Sequence, residues 1–273
     1  MDVREYGAGG PTVVLLHGGP GAPGSLEPLA RALSDRFRVL EPMQRRSGPV
    51  PLTVARHVDD LADLIAGRCA AAPPLLVGHS WGAMLALAFG AAHPNSAAAL
   101  VLIGCGTFDP AARRRLEAEV DRRMIGVLGE RVARLEEVVD PDERLNGAGE
   151  ILARVYAYDR VEDAPEFRGG DARGHDETWD DMVRLQASGV YPAAFAAIGT
   201  PVLMLHGSHD PHPGPLIRES LRTALPQLEY REFDRCGHEP WLERAARDEF
   251  LAVLRPWLAS HALYPTPRRR TRP

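Results

Sequence analysis

Three side chains far apart in the chain have the chemistry of an acyl-transfer site. Ser80 lies in Gly78-His79-Ser80-Trp81-Gly82, a G-x-S-x-G run. A serine hydroxyl is a weak nucleophile at neutral pH. It needs a base, most often histidine, and the histidine needs an acid to hold its tautomer. Asp210 ends Leu205-His206-Gly207-Ser208-His209-Asp210, and His238 ends Cys236-Gly237-His238. Serine, then acid, then histidine is the chain order found when the serine sits on a strand-to-helix turn. Asp109, which follows an earlier apolar run, competes with Asp210 for the role of acid. His209 and His212 flank Asp210 but share its loop, so His238 is the better base. Cys236 reads as a small packing residue, because Ser80 is the better-placed nucleophile.

An acyl-transfer intermediate carries an oxyanion that needs two main-chain N–H donors. One should be the amide of Trp81, directly after the nucleophile. The other should come from the glycine-rich run His17-Gly18-Gly19-Pro20-Gly21, from Gly19 or else Gly18. That run is not a phosphate loop: no lysine with serine or threonine follows it, and it forms no G-x-G-x-x-G.

The surrounding elements must carry these residues to one place. Val13-Val14-Leu15-Leu16 is a short buried strand leading into the glycine run. Ser25 to Leu33 reads as a helix with Ser25 as N-cap. Phe37 to Leu40, Leu75 to Val77, Ala99 to Ile103, Pro201 to Leu205 and Leu228 to Phe233 read as further strands. Helical spacing runs over Val54 to Ala66, Ala83 to Ala92 and Leu242 to Leu258. Strands alternating with helices imply a mostly parallel sheet covered on both faces, an α/β fold. The stretch 110–194 breaks this rhythm: it is charged and helical without a convincing buried strand, and reads as an inserted helical cap. The core would then be 1–109 and 195–264, with 265–273 a flexible, arginine-rich tail.

Composition narrows the function. The net charge of −5 argues against a nucleic-acid partner. No apolar run approaches a membrane span and the first residues form no signal peptide, so the expected setting is the cytoplasm. Three cysteines without a CxxC give neither a disulfide framework nor a zinc site. The chain has no lysine, which excludes lysine bases, Schiff bases and phosphate clamps. The histidines show no metal-ligand spacing such as HExxH, so no metal or organic cofactor is expected.

With these residues in place the chain resembles the α/β-hydrolases over nearly its whole length. His17 to Gly21 together with Ser80-Trp81-Gly82 is similar to the prolyl aminopeptidase (proline iminopeptidase) branch. That resemblance implies an α/β-hydrolase fold, no cofactor, and a cap that selects short peptides with a free N-terminus. Acidic cap residues would then hold the substrate ammonium, and Glu162, Asp163, Glu166, Asp176 and Glu177 are available. Met43 stands before Gln44-Arg45 where the branch has aspartate, and Pro211 follows Asp210. The stretch before Val13 is short for an early hairpin. Gly78-His79 is a beginning shared with esterases, lactonases and carbon–carbon bond hydrolases. The expected activity is therefore hydrolysis of a small-molecule or short-peptide amide or ester. The same triad would also suit an esterase, lactonase or carbon–carbon hydrolase, and the fold alone would suit a non-catalytic small-molecule receptor.

Overall fold

The computed structural model describes residues 1–21, 23–125, 127–161 and 169–262. In chain order its elements are β1 (Val3–Tyr6), β2 (Thr12–Leu16), α1 (Glu27–Leu33), β3 (Arg38–Pro42), α2 (Val54–Arg68), β4 (Leu75–His79), α3 (Trp81–Ala92) and β5 (Ala99–Ile103). Then come α4 (Pro110–Arg123), α5 (Val127–Glu136), α6 (Pro141–Tyr156) and α7 (Ala172–Ala187). The chain closes with β6 (Val202–Gly207), α8 (Gly214–Leu221), β7 (Leu228–Phe233) and α9 (Arg247–His261).

The strands form one sheet in the order β1-β3-β2-β4-β5-β6-β7. Only β1, paired to β3, is antiparallel. Both faces are apolar because side chains alternate along a strand while helices cover each side. Leu76, Leu100, Leu102 and Met204 pack with α2, α3 and α8, whereas Val77, Val101, Ile103 and Leu205 pack with α1 and α9. α3 is buried from Trp81 to Gly90. A helix enclosed in this way cannot slide, which fixes the turn that precedes it.

Four details differ from the sequence expectations. Ser25 does not cap α1: the helix begins after Leu26, whose N–H donates to the buried carboxylate of Glu41 at 3.1 Å. A strand-borne acid thus anchors the start of the helix through its N-cap residue, and no side chain caps the first turn. The last helix begins at Arg247 rather than Leu242, because Pro240–Leu242 is a 3₁₀ turn and Glu243 turns its carboxylate inward. The short stretch before Val13 supplies one strand, β1, held on its edge by main-chain pairing and by the Glu5–Arg38 ion pair. Helix α8 was hidden by Pro211, Pro213 and Pro215, yet proline is tolerated in a first helical turn.

Helices α4 to α7 fill the charged stretch between β5 and β6. Hydrogen bonds on two sides fasten them to segments that flank the sheet. On one side Asp171, Glu177 and Asp181 of the α7 region accept the main-chain N–H groups of Ser47, Leu52 and Val54. On the other, Glu243 accepts from the N–H groups of Tyr158 and Asp159 at 2.9 and 2.7 Å. The tail 265–273 lies outside the described residues. Among the described residues no helix is long and apolar enough to cross a membrane.

Candidate active site

Ser80 stands between β4 and α3 with φ 54° and ψ −117°, in the left-handed region that an L-residue adopts at a cost of about 1–3 kcal/mol. Its N–H donates to the Ile103 carbonyl at 2.8 Å. The glycines around it are sterically required. A Cβ on Gly78 would collide with the Gly82 carbonyl, and one on Gly82 with the carbonyls of Leu16 and His17. The turn is therefore wedged against the end of β2. A Cβ on Gly18 would lie 3.1 Å from that of Ser80, so the glycine-rich run passes directly beside the serine.

A glutamine ties the two together. Gln44 Oε1 accepts the indole N–H of Trp81 at 2.8 Å, and its Nε2 donates to the His17 carbonyl at 2.9 Å. The Gln44 N–H donates to His17 Nε2 at 3.1 Å, which sets the His17 proton on Nδ1, facing the Gly18 carbonyl at 2.9 Å. The main-chain N–H groups of Gly19 and Trp81 find no acceptor among the described residues. That is the state in which a helix start and a glycine turn offer donors to an anion.

Asp210, at the end of β6, and His238, after β7, form a pair. His238 Nδ1–H donates to Asp210 Oδ2 at 2.6 Å, and both side chains are buried. Burial pushes the Asp210 carboxyl up, but His238, His212 and His206 together hold it well below the carboxylate range. Burial pushes His238 down, and the Asp210 charge and hydrogen bond more than reverse this, leaving it above the ordinary histidine range. The pair is docked on the serine turn. His79, immediately before Ser80, lies 4.5 Å from His238 ring to ring and donates through Nε2 to the His238 carbonyl at 3.1 Å. Gly104, at φ 53°, leaves room for the imidazole, since a Cβ there would meet His238 Nδ1 at 2.7 Å. The Ser80 hydroxyl itself makes no hydrogen bond among the described residues.

The competing residues have other occupations. Asp109 caps α4, accepting the N–H groups of Ala111 and Ala112 at 2.9 Å each. His209 packs edge-on against Tyr158. Cys236 is buried and its thiol is pushed up by that burial. Among the acids considered for a substrate ammonium, Glu177 is bonded to Leu52 and Arg173, and Asp176 is exposed beside His175. Glu162, Asp163 and Glu166 lie outside the described residues.

Sequence reasoning assigned no role to Gln44, His212, Tyr156 or Glu243. His212 donates both its N–H groups to Asp210, and Tyr156 lies edge-on to the rings of His212 and His238. Only the position of His212, two residues after the acid, hinted at this. Asp210, His212 and His238 bring three potential metal-ligand atoms within 4.8 Å of one another. The two imidazoles, however, are stacked at 4.6 Å and 14°, so no point within bonding distance of both lies in both ring planes. An ion between them would meet neither lone pair end-on, and both ring nitrogens already serve the carboxylate. The arrangement suits proton handling. A narrow pocket beside the glycine run is lined by His17, Pro20, Gln44, His57, Asp171 and Thr178 among others.

The proline iminopeptidase of Lactobacillus helveticus (strain DPC 4571) is 24% identical to this chain, over 92% of this chain and 90% of that protein. The 2-hydroxy-6-oxononadienedioate/2-hydroxy-6-oxononatrienedioate hydrolase of Cupriavidus pinatubonensis (strain JMP 134 / LMG 1197) is 26% identical, over 89% and 85%. Among solved structures, a thermophilic esterase from Thermogutta terrifontis shares the fold with a TM-score of 0.65 at 22% identity, covering 96% of this chain and 94% of that one. The alpha/beta hydrolase family pattern matches residues 13–253, and the chain belongs to that family.

Proposed function

We propose that the protein is a serine hydrolase that cleaves a small amide or ester through an acyl-enzyme. Ser80 attacks the carbonyl carbon while His238 takes its proton. Asp210 keeps the other imidazole proton on Nδ1 and stabilises the imidazolium. The N–H groups of Gly19 and Trp81 receive the oxyanion. The tetrahedral intermediate collapses, and His238 hands its proton to the departing amine or alcohol. Water then attacks the acyl carbon, with His238 again as base, and Ser80 leaves as the restored hydroxyl. The observation that carries this reading is the docking of the His238–Asp210 pair on the strained Ser80 turn through His79.

The leading substrate class is a short peptide or amide with a free N-terminus. Support comes from the His17–Gly21 and Ser80–Gly82 motifs and from the similarity to a proline iminopeptidase. A second reading, an esterase, lactonase or carbon–carbon bond hydrolase, is favoured by a specific observation. Glu177 is spent on a main-chain N–H and an arginine, so it is not free to hold an ammonium group. Three buried free cysteines suit a reducing compartment such as the cytoplasm.

A fluorophosphonate probe should label Ser80, read by mass spectrometry of the digested protein. A folded protein that resists labelling would refute the nucleophile assignment. Aminoacyl anilides assayed beside aryl esters and lactones then choose between substrates. Cleavage confined to anilides with a free amine supports the peptidase, and turnover of esters or lactones alone supports the second reading.

A further inference from the structure

A catalytic carboxylate needs only one of its oxygens to hold a histidine. In this protein both oxygens of Asp210 are committed to imidazoles. Oδ2 faces His238 at 2.6 Å, and Oδ1 accepts the main-chain and ring Nδ1 protons of His212 at 2.9 Å each. The two rings lie face to face, 4.6 Å apart and 14° from parallel. Tyr156 closes the stack edge-on, 5.4 Å from His212 and 5.2 Å from His238. From below, His206 Nε2–H donates to the His212 carbonyl at 2.9 Å.

We propose that His212 is a positioning residue that sets both the rotation of the Asp210 carboxylate and the plane of the His238 ring. This inference rests on Ser80, Asp210 and His238 acting as described above. A main-chain N–H alone would leave the carboxylate free to turn about its Cβ–Cγ bond. The second donor, fixed on a rigid ring, removes that freedom and leaves Oδ2 aimed at His238. The flat face of His212 does the same for the base, which is otherwise bounded by Tyr156 and His79. Burial holds His212 below the ordinary histidine range, so it is a neutral ring whose tautomer is dictated by the carboxylate it faces.

His212 also shares the charge of Asp210. A carboxylate that donates part of its negative charge to one N–H has less for another, so His212 tempers the basicity of His238. The remaining titratable neighbours of His238 among the described residues are His79, Tyr156, His206 behind Asp210, and Glu239 beside Arg160. All of these residues are retained when His212 is replaced.

Two substitutions separate bond from stack. His212→Asn places an amide N–H where Nδ1 stood but removes the ring. His212→Phe keeps a flat face and removes the donor, with His212→Leu as a second donor-free variant should the larger ring disturb folding. The readout is phosphonylation of Ser80 by a fluorophosphonate, because it needs no knowledge of the substrate. In the Phe and Leu variants the limiting labelling rate should fall about tenfold with unchanged probe affinity, the size of one charge-assisted hydrogen bond. Their acid limb should move to higher pH, because Asp210 then spends more charge on His238. His212→Asn should keep the wild-type acid limb and lose about threefold or less, the hydrogen bond being kept. Wild-type rates with an unmoved acid limb in all variants would overturn the inference. So would equal losses in all variants with no pH shift, the mark of a space-filling residue. If wild-type Ser80 itself fails to label, the triad reading falls and the role of His212 falls with it.

Discussion

Ser80 and His238 stand on neighbouring loops at the carboxyl edge of one sheet, yet the two walls that carry them are held by different physics. The serine wall is a matter of exclusion. Gly78 and Gly82 are there because any side chain would strike main-chain carbonyls, and α3 behind them is buried on every side. The histidine wall is a matter of polar satisfaction. His206, His212, His238 and Asp210 meet in a buried cluster whose order depends on which nitrogen carries which proton. The first wall tolerates almost no change in shape and the second almost no change in charge. A buried polar cluster is stable only when each member is paired, whereas a steric wedge depends only on volume.

The largest effect should come from the polar wall. Asp210→Asn keeps the shape but presents an amide to two imidazoles, and labelling of Ser80 should drop by about 10³–10⁴. A loss below tenfold at neutral pH would show that charge there matters less than shape. Next is the steric wall. Gly82→Ala should cost more than about 3 kcal/mol in chemical denaturation, because the backbone it strikes cannot move aside. Gly199→Ala, where a Cβ meets nothing within 4 Å, is the control and should stay within about 1 kcal/mol. Comparable losses in the two variants would remove the distinction.

Acid sharpens the comparison, because imidazoles on the two sides respond in opposite directions. Burial holds His17 and His57, behind the glycine run and Trp81, down to about 4 from an ordinary 6.5. Each is neutral in the folded state and must gain a proton as the chain unfolds. Their contribution is therefore complete above about 6.5 and is lost as pH falls toward 4, on the order of 3 kcal/mol each. His238 has the opposite sign. Its pairing with Asp210 stabilises the fold below the ordinary histidine value and is lost as pH rises through the raised folded one. Labelling needs neutral His238, so its acid limb should lie at higher pH than the midpoint of acid unfolding followed by circular dichroism. Coincident limbs would mean that activity is lost only through unfolding.

The smallest effect concerns the seam between glycine run and serine turn. Gln44→Leu leaves the Trp81 indole N–H and the His17 carbonyl without their partner. It should slow labelling about fivefold and lower stability by about 1–2 kcal/mol. An unchanged labelling rate with the stability loss intact would confine Gln44 to a structural role.

The same contrast explains what could be read from the sequence. Strands β2, β4 and β5 announce themselves because both faces are buried and their apolar runs are nearly unbroken. The serine turn is legible because steric exclusion leaves glycines at fixed spacing. Asp210 and His238 are legible from chain order and loop position. The partners of the histidine wall are not, because a hydrogen bond between distant polar side chains leaves no period or spacing behind. Gln44, Tyr156 and Glu243 each look like ordinary surface polarity until the fold brings them inward. Strand β1 was obscured for a related reason: Val3-Arg4-Glu5-Tyr6 lies at a half-wet edge and owes its place to pairing rather than to burial.

The buried carboxylate of Glu243 gathers N–H groups from Gly237 on one side and from Tyr158 and Asp159 on the other. The His238 N–H is itself tied to the Tyr156 carbonyl at 3.0 Å. The neck leading out of α6 and the loop bearing the base therefore behave as one mechanical part. A shift of the C-terminal end of α6 would pull on the main chain that carries the imidazole. The two segments share one anchor, so a displacement of this neck would be felt at the His238 imidazole.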